Sequence, residues 1–256
     1  MPVNKVMESF DEAVEDVCDG AVVLIGGFAG PGSCPTWLIQ ALARQGAKDL
    51  TIVGNSPGFG RRMMSAMRQR RGAADTTPDW FEDGGILAEE GKIKHAICSF
   101  PVSSSPAIKT AFEEMLDRGE ATVEIVPQGT LAERCRAAKM GIAAFYTPTG
   151  SGTVVEKGKE MRKFDDKNYI LEHAIKGDFS LIRAYKADRR GNLIYRGTSR
   201  TFNAVFAGAS TINIAEVDEV VELGELNPEA IVTPGIWVDR VVVRPQEGWV
   251  KEVQKW

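Results

Sequence analysis

The run Ala21-Val22-Val23-Leu24-Ile25 passes without a break into Gly26-Gly27-Phe28-Ala29-Gly30-Pro31-Gly32-Ser33-Cys34-Pro35, and residues 36–45 then space their apolar side chains as a helix does. A short unbroken apolar run is the pattern of a strand buried on both faces. A glycine-rich turn leading from such a strand into a helix is the opening of an α/β unit. The cycle repeats outward from this point. Residues 50–53 read as a strand, 55–58 as a loop and 60–71 as a helix. Residues 94–98 and 122–126 read as further strands, with helices expected over 106–118 and 130–139. Upstream, Val6, Phe10, Val14 and Val17 give residues 4–17 a helical period. The chain is therefore expected to be α/β: a mainly parallel open sheet with helices on both faces.

The second half is less regular. Residues 147–152 form a Gly/Pro/Ser/Thr loop, 153–170 are polar enough for a small hairpin, 179–182, 212–215 and 237–243 are strand candidates, and 201–209 reads as a helix. No internal repeat or long linker interrupts the pattern, so one domain over 1–256 is expected, with an exposed inserted segment near 72–85.

Composition narrows the function classes. With 256 residues, 43% hydrophobic and 26% charged, the chain sits in the ordinary globular range. Thirty-one Lys and Arg against 35 Asp and Glu leave a net charge of -4, which is no nucleic-acid footprint. No apolar run reaches the roughly 18 residues of a membrane span. The start, Met1-Pro2-Val3-Asn4, lacks the basic and apolar regions of a secretory signal. Cys18, Cys34, Cys98 and Cys135 form no CxxC pair, and His95 and His173 lie far apart, so a zinc site has little support. Free thiols suit a reduced, cytoplasmic location.

The glycine loop is the clearest chemical signal. Open α/β sheets bind ligands at the carboxyl ends of their strands, and the N–H groups at the following helix start favour an anion or a developing oxyanion. A tight turn would need the same glycines. The spacing is neither GxGxxG nor that of a phosphate-binding P-loop. Ser103-Ser104-Ser105 lacks a nucleophile elbow and reads as a helix N-cap run.

Five blocks resemble, in order, the α subunit of class I CoA-transferases. Asp19-Gly20 followed by the apolar strand and Gly26-Gly27-Phe28 is similar to the family's opening signature, although the loop's tail, Gly32-Ser33-Cys34-Pro35, is one residue longer. Val126-Pro127-Gln128-Gly129-Thr130-Leu131-Ala132-Glu133-Arg134 resembles its Pro-Gln-Gly-x-Leu-Ala-Glu-Arg segment. Tyr146 to Thr153 is similar to its Thr-Gly-x-Gly-Thr loop. Lys186 to Leu193 and Thr233 to Val238 resemble its Lys-x-Asp-x-x-Gly-Asn turn and its closing Thr-Pro-Gly-Ile-x-Val. The match is closest to the two-subunit 3-oxoacid and 3-oxoadipate transferases.

The resemblance implies an enzyme that moves CoA from an acyl-CoA, succinyl-CoA in the nearest members, to a 3-oxoacid through a glutamyl-CoA intermediate. The nucleophilic glutamate belongs to the β half in that family. Glu156 and Glu247 here lack its context, and Glu216 and Glu219 read as surface carboxylates. A β-subunit partner carrying the glutamate is therefore implied, in an α2β2 assembly, with the CoA thioester as substrate and no permanently bound cofactor. This chain would supply pocket walls. Gln128 and Gly129 after strand four, Asn55 after strand two, and Gly26, Gly27 and Phe28 would contact the acyl substrate; Gly150 and Gly152 would shape the CoA side. The family's second amide after Asn55 is absent, since Ser56-Pro57-Gly58 follows, which keeps open a thioester hydrolase or ring-opening enzyme on the same scaffold. A non-catalytic ligand-binding protein is the reading from another class. Arg61, Arg62, Arg68, Arg70 and Arg71 form a basic cluster that reads as a CoA phosphate site, a solvated face or an interface. Cys34, at a helix start, is expected to have a lowered pKa and to be sensitive to alkylation. Phe59, Met63, Met64 and Met67 are taken as an exposed face for the partner.

Overall fold

A computed structural model of the chain describes residues 3–28, 30–72, 77–103 and 108–246. Strands β1 (Val22–Ile25), β2 (Leu50–Gly54), β3 (Ile93–Cys98) and β4 (Thr122–Ile125) lie side by side in that order. On the other flank of β1 come β8 (Gly177–Asp188), β10 (Ser210–Val221) and β11 (Arg240–Val243). All of these pairings are parallel, and only the short β9 (Leu193–Ile194) runs antiparallel, against β8. β1 therefore sits in the middle, between β2 and β8. A second sheet of three antiparallel strands is built from β5 (Ala144–Thr147), β6 (Met161–Phe164) and β7 (Lys167–His173), which contains the hairpin expected within 153–170.

The pleat of β1 divides the interior. Val23 and Ile25 face a core shared with α2 (Thr36–Arg44), α4 (Gly85–Glu89) and α5 (Ala111–Asp117). Leu24 faces the opposite core, shared with α6 (Gln128–Lys139) and α7 (Thr201–Phe206). Period-two alternation between two buried layers is what an unbroken apolar run requires.

Several boundaries depart from the sequence reading, each for a local reason. The helix expected over 4–17 shrinks to α1 (Phe10–Ala13), capped by Ser9. Val6 instead bridges to Val241, and Met7 N–H donates to the Val241 carbonyl, so edge pairing overrides the helical period. The helix expected over 106–118 starts at Ala111, where Thr110 and Glu113 form a capping box; Ser104, Ser105 and the residues through 107 lie outside the described residues. Helix α6 begins at Gln128, directly after Pro127, two residues earlier than expected. α3 (Gly60–Arg71) has the expected bounds.

Two further expectations need correction. Of the segment 72–85, residues 73–76 lie outside the described residues, but its end is not exposed: Phe81 is buried and Gly84 and Gly85 pack against the backbone of Pro57 and Gly60. The methionine face of α3 is not a free surface either. Met63 is buried and Met64 packs onto the core, because α3 lies against α4.

Two of the five sequence blocks hold each other. Asp188 accepts the N–H groups of Arg190 and Asn192 at 2.9 and 3.0 Å and the Asn192 side chain at 2.7 Å. Asn192 Oδ1 in turn accepts Gly235 N–H at 2.7 Å, and Tyr195 bonds Thr233 at 2.8 Å. Lys5 Nζ closes the knot on the carbonyls of Gly235 and Val238 at 2.8 and 2.6 Å. Asn192→Ala removes both sides of this junction and should lower stability by about 1–3 kcal/mol, read as a lower urea midpoint with unchanged slope. An unchanged midpoint would show that the two turns are held independently.

Candidate active site

The site is built where β1 and β2 end. The glycine loop after β1, the Asn55 loop after β2, Phe100 after β3 and the 81–84 segment enclose one cleft, lined among others by Gly26, Gly27, Phe28, Asn55, Phe59 and Asp83. Four of the residues expected to line it are thus brought together. Gln128 reaches the same place from the first turn of α6: its amide nitrogen donates to Asn55 Oδ1 at 2.6 Å. Gln128 and Gly129 are exposed and are not among the residues that line the cleft. Gly150 and Gly152 do not line this cleft. They lie in the turn after β5, where Gly150 packs on Val155 and Ile170 and Gly152 N–H donates to Glu156.

Glycine is required at two positions of the loop. A Cβ on Gly26 would stand 2.0 Å from Asn203 Oδ1, and Gly27 has φ of +104°, with Ser33 O 2.9 Å from where its Cβ would be. The loop's ends and middle are held by groups that the sequence reading does not single out. Gly26 N–H donates to the Leu181 carbonyl on β8 at 2.8 Å. Asn203, fully buried on α7, donates to Ser33 O at 2.9 Å and accepts Arg183 N–H at 2.9 Å.

The helix start that follows the loop is also occupied from within. α2 has Pro35 at its N-cap and no side-chain cap of its own. Glu216 Oε2, from β10, accepts Trp37 N–H at 2.9 Å and Leu38 N–H at 3.3 Å. These two N–H groups are thus engaged by an internal carboxylate, contrary to the expectation that this helix start would serve a ligand. Glu216 is no surface group either: it has no exposed area, with Arg183 Nε 3.8 Å away. Burial raises its pKa to about 7, against the pull of Arg183, Arg244 and the two N–H groups. Asp218 joins Arg183 at 2.5 Å and Arg244 at 2.9 Å, and the Arg244 guanidinium lies 4.9 Å over the Trp37 ring. A lone acid inside the apolar run Ile214-Ala215-Glu216-Val217 is the signal in the sequence that points to this residue. Glu219 is exposed and pairs with Lys186, as a surface carboxylate should.

The other side of the cleft is held by Asp83, whose carboxylate accepts N–H groups of Phe59, Gly60 and Gly85 at 2.8–3.0 Å. Burial raises its pKa, and those N–H groups oppose the rise. Cys34 lines the cleft but is buried. Burial, with Asp83 and Glu216 nearby, pushes its thiol well up, so the expected low-pKa, alkylation-sensitive cysteine is overturned. In the basic cluster, Arg61 pairs with Glu82 and Glu90, Arg62 with Glu114 and Arg68 with Asp79, whereas Arg70 and Arg71 line a groove beside Phe59 and Met67. Among the described residues no cluster of His, Cys, Asp and Glu is arranged to hold a metal, and no helix is long and apolar enough to cross a membrane. Glu247 lies outside the described residues.

A parallel sheet with a cleft at its carboxyl edge is the frame in which open α/β proteins bind ligands. The chain belongs to the Coenzyme A transferase family, whose model matches residues 7–244, and within it to the α-type chains of class I. It is 43% identical over 240 residues to the α-type chain of 3-oxoadipate CoA-transferase from Pseudomonas putida, covering 94% of each chain. It is 41% identical to the corresponding chain of succinyl-CoA:3-ketoacid coenzyme A transferase from Helicobacter pylori strain J99, covering 93% of this chain and 92% of that one. Among solved structures, the Escherichia coli O157:H7 acyl-CoA transferase in thioester complex with CoA superposes with a TM-score of 0.76 at 26% identity, over 96% of this chain. The chain spans about half of that protein, 48% of its length. Glutaconate CoA-transferase from Acidaminococcus fermentans shares the fold, with a TM-score of 0.71 at 21% identity.

Two outcomes follow from this chemistry. In the native protein, iodoacetamide should label the exposed Cys18 and spare Cys34, Cys98 and Cys135, as read by peptide mass spectrometry; labelling of Cys34 at the rate of Cys18 would contradict its burial. Glu216, raised from its ordinary 4.5 to about 7, binds a proton in the folded chain that the unfolded chain has already lost. Its contribution to stability is therefore complete below about pH 4.5 and is lost as pH rises through about 7. The stability of the wild type relative to Glu216→Gln should fall over that window, at a limiting slope of about 1.4 kcal/mol per pH unit. A flat difference in urea unfolding across that pH series would mean that Arg183 and Arg244 keep the carboxylate ionised throughout.

Proposed function

We propose that this chain is the α half of a two-subunit CoA-transferase that moves CoA from an acyl-CoA to a 3-oxoacid. Succinyl-CoA is the donor by which several relatives are named, and it is the donor proposed here. The observation that carries the reading is the Gln128–Asn55 amide pair, 2.6 Å apart, beside a glycine loop in a cleft with no available thiol or carboxylate nucleophile among its described residues. Cys34 and Asp83 in that lining are a buried thiol and a carboxylate already bonded to three N–H groups. A neutral amide pair suits binding of a carboxylate or thioester carbonyl, because it donates hydrogen bonds without trapping the acid as an ion pair.

The nucleophile is then a glutamate of the partner. Its carboxylate attacks the thioester carbonyl, forming a mixed anhydride and releasing CoA thiolate. The thiolate attacks the glutamyl carbonyl, giving the glutamyl-CoA thioester and the free acid; the 3-oxoacid reverses both steps and leaves as its thioester. Gln128, Asn55, Gly26, Gly27, Phe28 and Gly129 form the acyl side of the site. Gly150 and Gly152 shape the CoA side, completed by the partner in an α2β2 assembly. Relatives that are themselves named as one of the subunits of such an enzyme support the need for a partner. The same reading carries a cytoplasmic location.

The test is co-expression with the matching β-type chain, incubation with acyl-CoA, and trapping with hydroxylamine. The expected result is a hydroxamate on one glutamate of the partner and none on this chain. A hydroxamate here would overturn the assignment, and release of free CoA without an acceptor acid would mark a hydrolase instead. Gln128→Ala in the same complex should lower kcat/KM for the acid by about 10- to 100-fold, measured by initial rates. A value within about twofold of wild type would remove Gln128 from the site.

A further inference from the structure

We propose that Glu216 is a positioning residue for the transfer reaction: its carboxylate fixes the first turn of α2 and, through that turn, the glycine loop that walls the cleft. The proposal rests on the reading that transfer takes place in this cleft.

The described residues of the segment 26–35 carry no regular structure beyond turns, so their shape is set by what holds them. At the start, Gly26 is tied to Leu181. In the middle, Ser33 is tied to Asn203. At the end, the loop becomes α2, and that helix start has neither a side-chain cap of its own nor access to water at Leu38. Buried N–H groups at a helix start need an acceptor. Glu216 is that acceptor, delivered from a strand 179 positions away from Trp37.

The arrangement is more than a cap. An uncharged residue would avoid the desolvation of a buried carboxylate, and apolar replacement of buried ions is often neutral or stabilising. Here three groups offset part of that desolvation, Arg183 on β8, Arg244 beyond β11 and the positive end of α2, while Asp218 on the same strand pairs with both guanidiniums. Arg183 also holds Asn203 through its backbone N–H, so the middle and end of the loop are fixed by one residue. Glu216 is fully buried and is not among the residues lining the cleft, so the carboxylate lies behind the wall. Glu216 therefore acts on geometry and touches no substrate.

The experiment uses the complex with the β-type partner. It compares Glu216→Ala and Glu216→Gln with wild type in steady-state CoA transfer. Because the loop backbone is most valuable where charge develops, Glu216→Ala should lower kcat about 100-fold while KM for acyl-CoA and acid moves less than about threefold. Glu216→Gln keeps one oxygen toward Trp37 N–H and should recover about tenfold of that loss. Hydrogen exchange should quicken over residues 26–38 and stay unchanged over β3 and β4. If Glu216→Ala yields no folded complex, Glu216→Gln carries the test by the same split and the same local exchange. A kcat within about twofold of wild type, a loss confined to KM, or no rescue by Gln overturns the assignment. A wild-type complex that moves no CoA overturns the transfer reading and this assignment with it; an active wild type with indifferent variants overturns this assignment alone.

Discussion

Arg183 serves two partners at once, and both partners hold the same loop: its backbone N–H bonds Asn203, which grips Ser33, and its guanidinium faces Glu216, which caps α2. The rest of the cleft depends on this junction. A strand in the middle of a parallel sheet has its backbone bonds supplied by its neighbours, but for the described part of the chain that leaves its end this supply stops at the Gly26 N–H bond to Leu181. The glycine loop leaves β1 at that point, where the two neighbours part and a ligand can enter. The conformational freedom that makes glycine useful there would otherwise make the wall soft. Side chains from β8, α7 and β10 supply the missing restraint.

The small sheet is joined to the large one by the same kind of contact. Arg134 on α6, nearly buried, donates to the His173 carbonyl of β7 at 2.7 Å and pairs with Glu124 of β4 at 2.5 Å. Glu172, fully buried on β7, takes Lys159 at 2.5 Å. Buried charges add little net stability, but breaking one partner leaves the other stranded. They therefore specify which surfaces meet more than how tightly they hold. α6 consequently carries Gln128 at one end and the inter-sheet anchor, Arg134, about 1.7 turns further on. Placement of the Gln128 amide and attachment of the small sheet are properties of one helix.

Much of this is legible in the residues. The continuous apolar run locates β1, short stretches rich in Val, Ile and Thr locate β2 to β4, and the turn chemistry after β1 and β2 points to the cleft, because glycine, proline and asparagine act locally. Gly26, Gly27, Phe28 and Asn55 fall together for that reason. What escapes is non-local. Asn203 looks like an ordinary polar residue, and the partners of Glu216 stay hidden, until strands and helices far apart in the chain are stacked. The same holds for residues 4–17, whose helical period survives only over α1 and otherwise loses to backbone pairing with β11. Cys34 misleads because a helix start favours a thiolate only where water or a cation completes its solvation, and here the turn is filled by Glu216. The Asp188–Asn192–Gly235 knot shows the converse: two motifs that mark the family are architecture, at a distance from the cleft lining.

That knot also sets an order of events during synthesis. Lys5 reaches Gly235 and Val238 across 230 and 233 positions, and β1 cannot be completed until β8 has been made. Contacts of such sequence separation slow folding, because a long loop must close before it is rewarded. While the ribosome is still translating, the β1 to β4 half has one open flank of apolar strand. Native closure waits until the 235–241 segment has emerged, and exposed apolar strand of this kind is what makes incomplete chains prone to association.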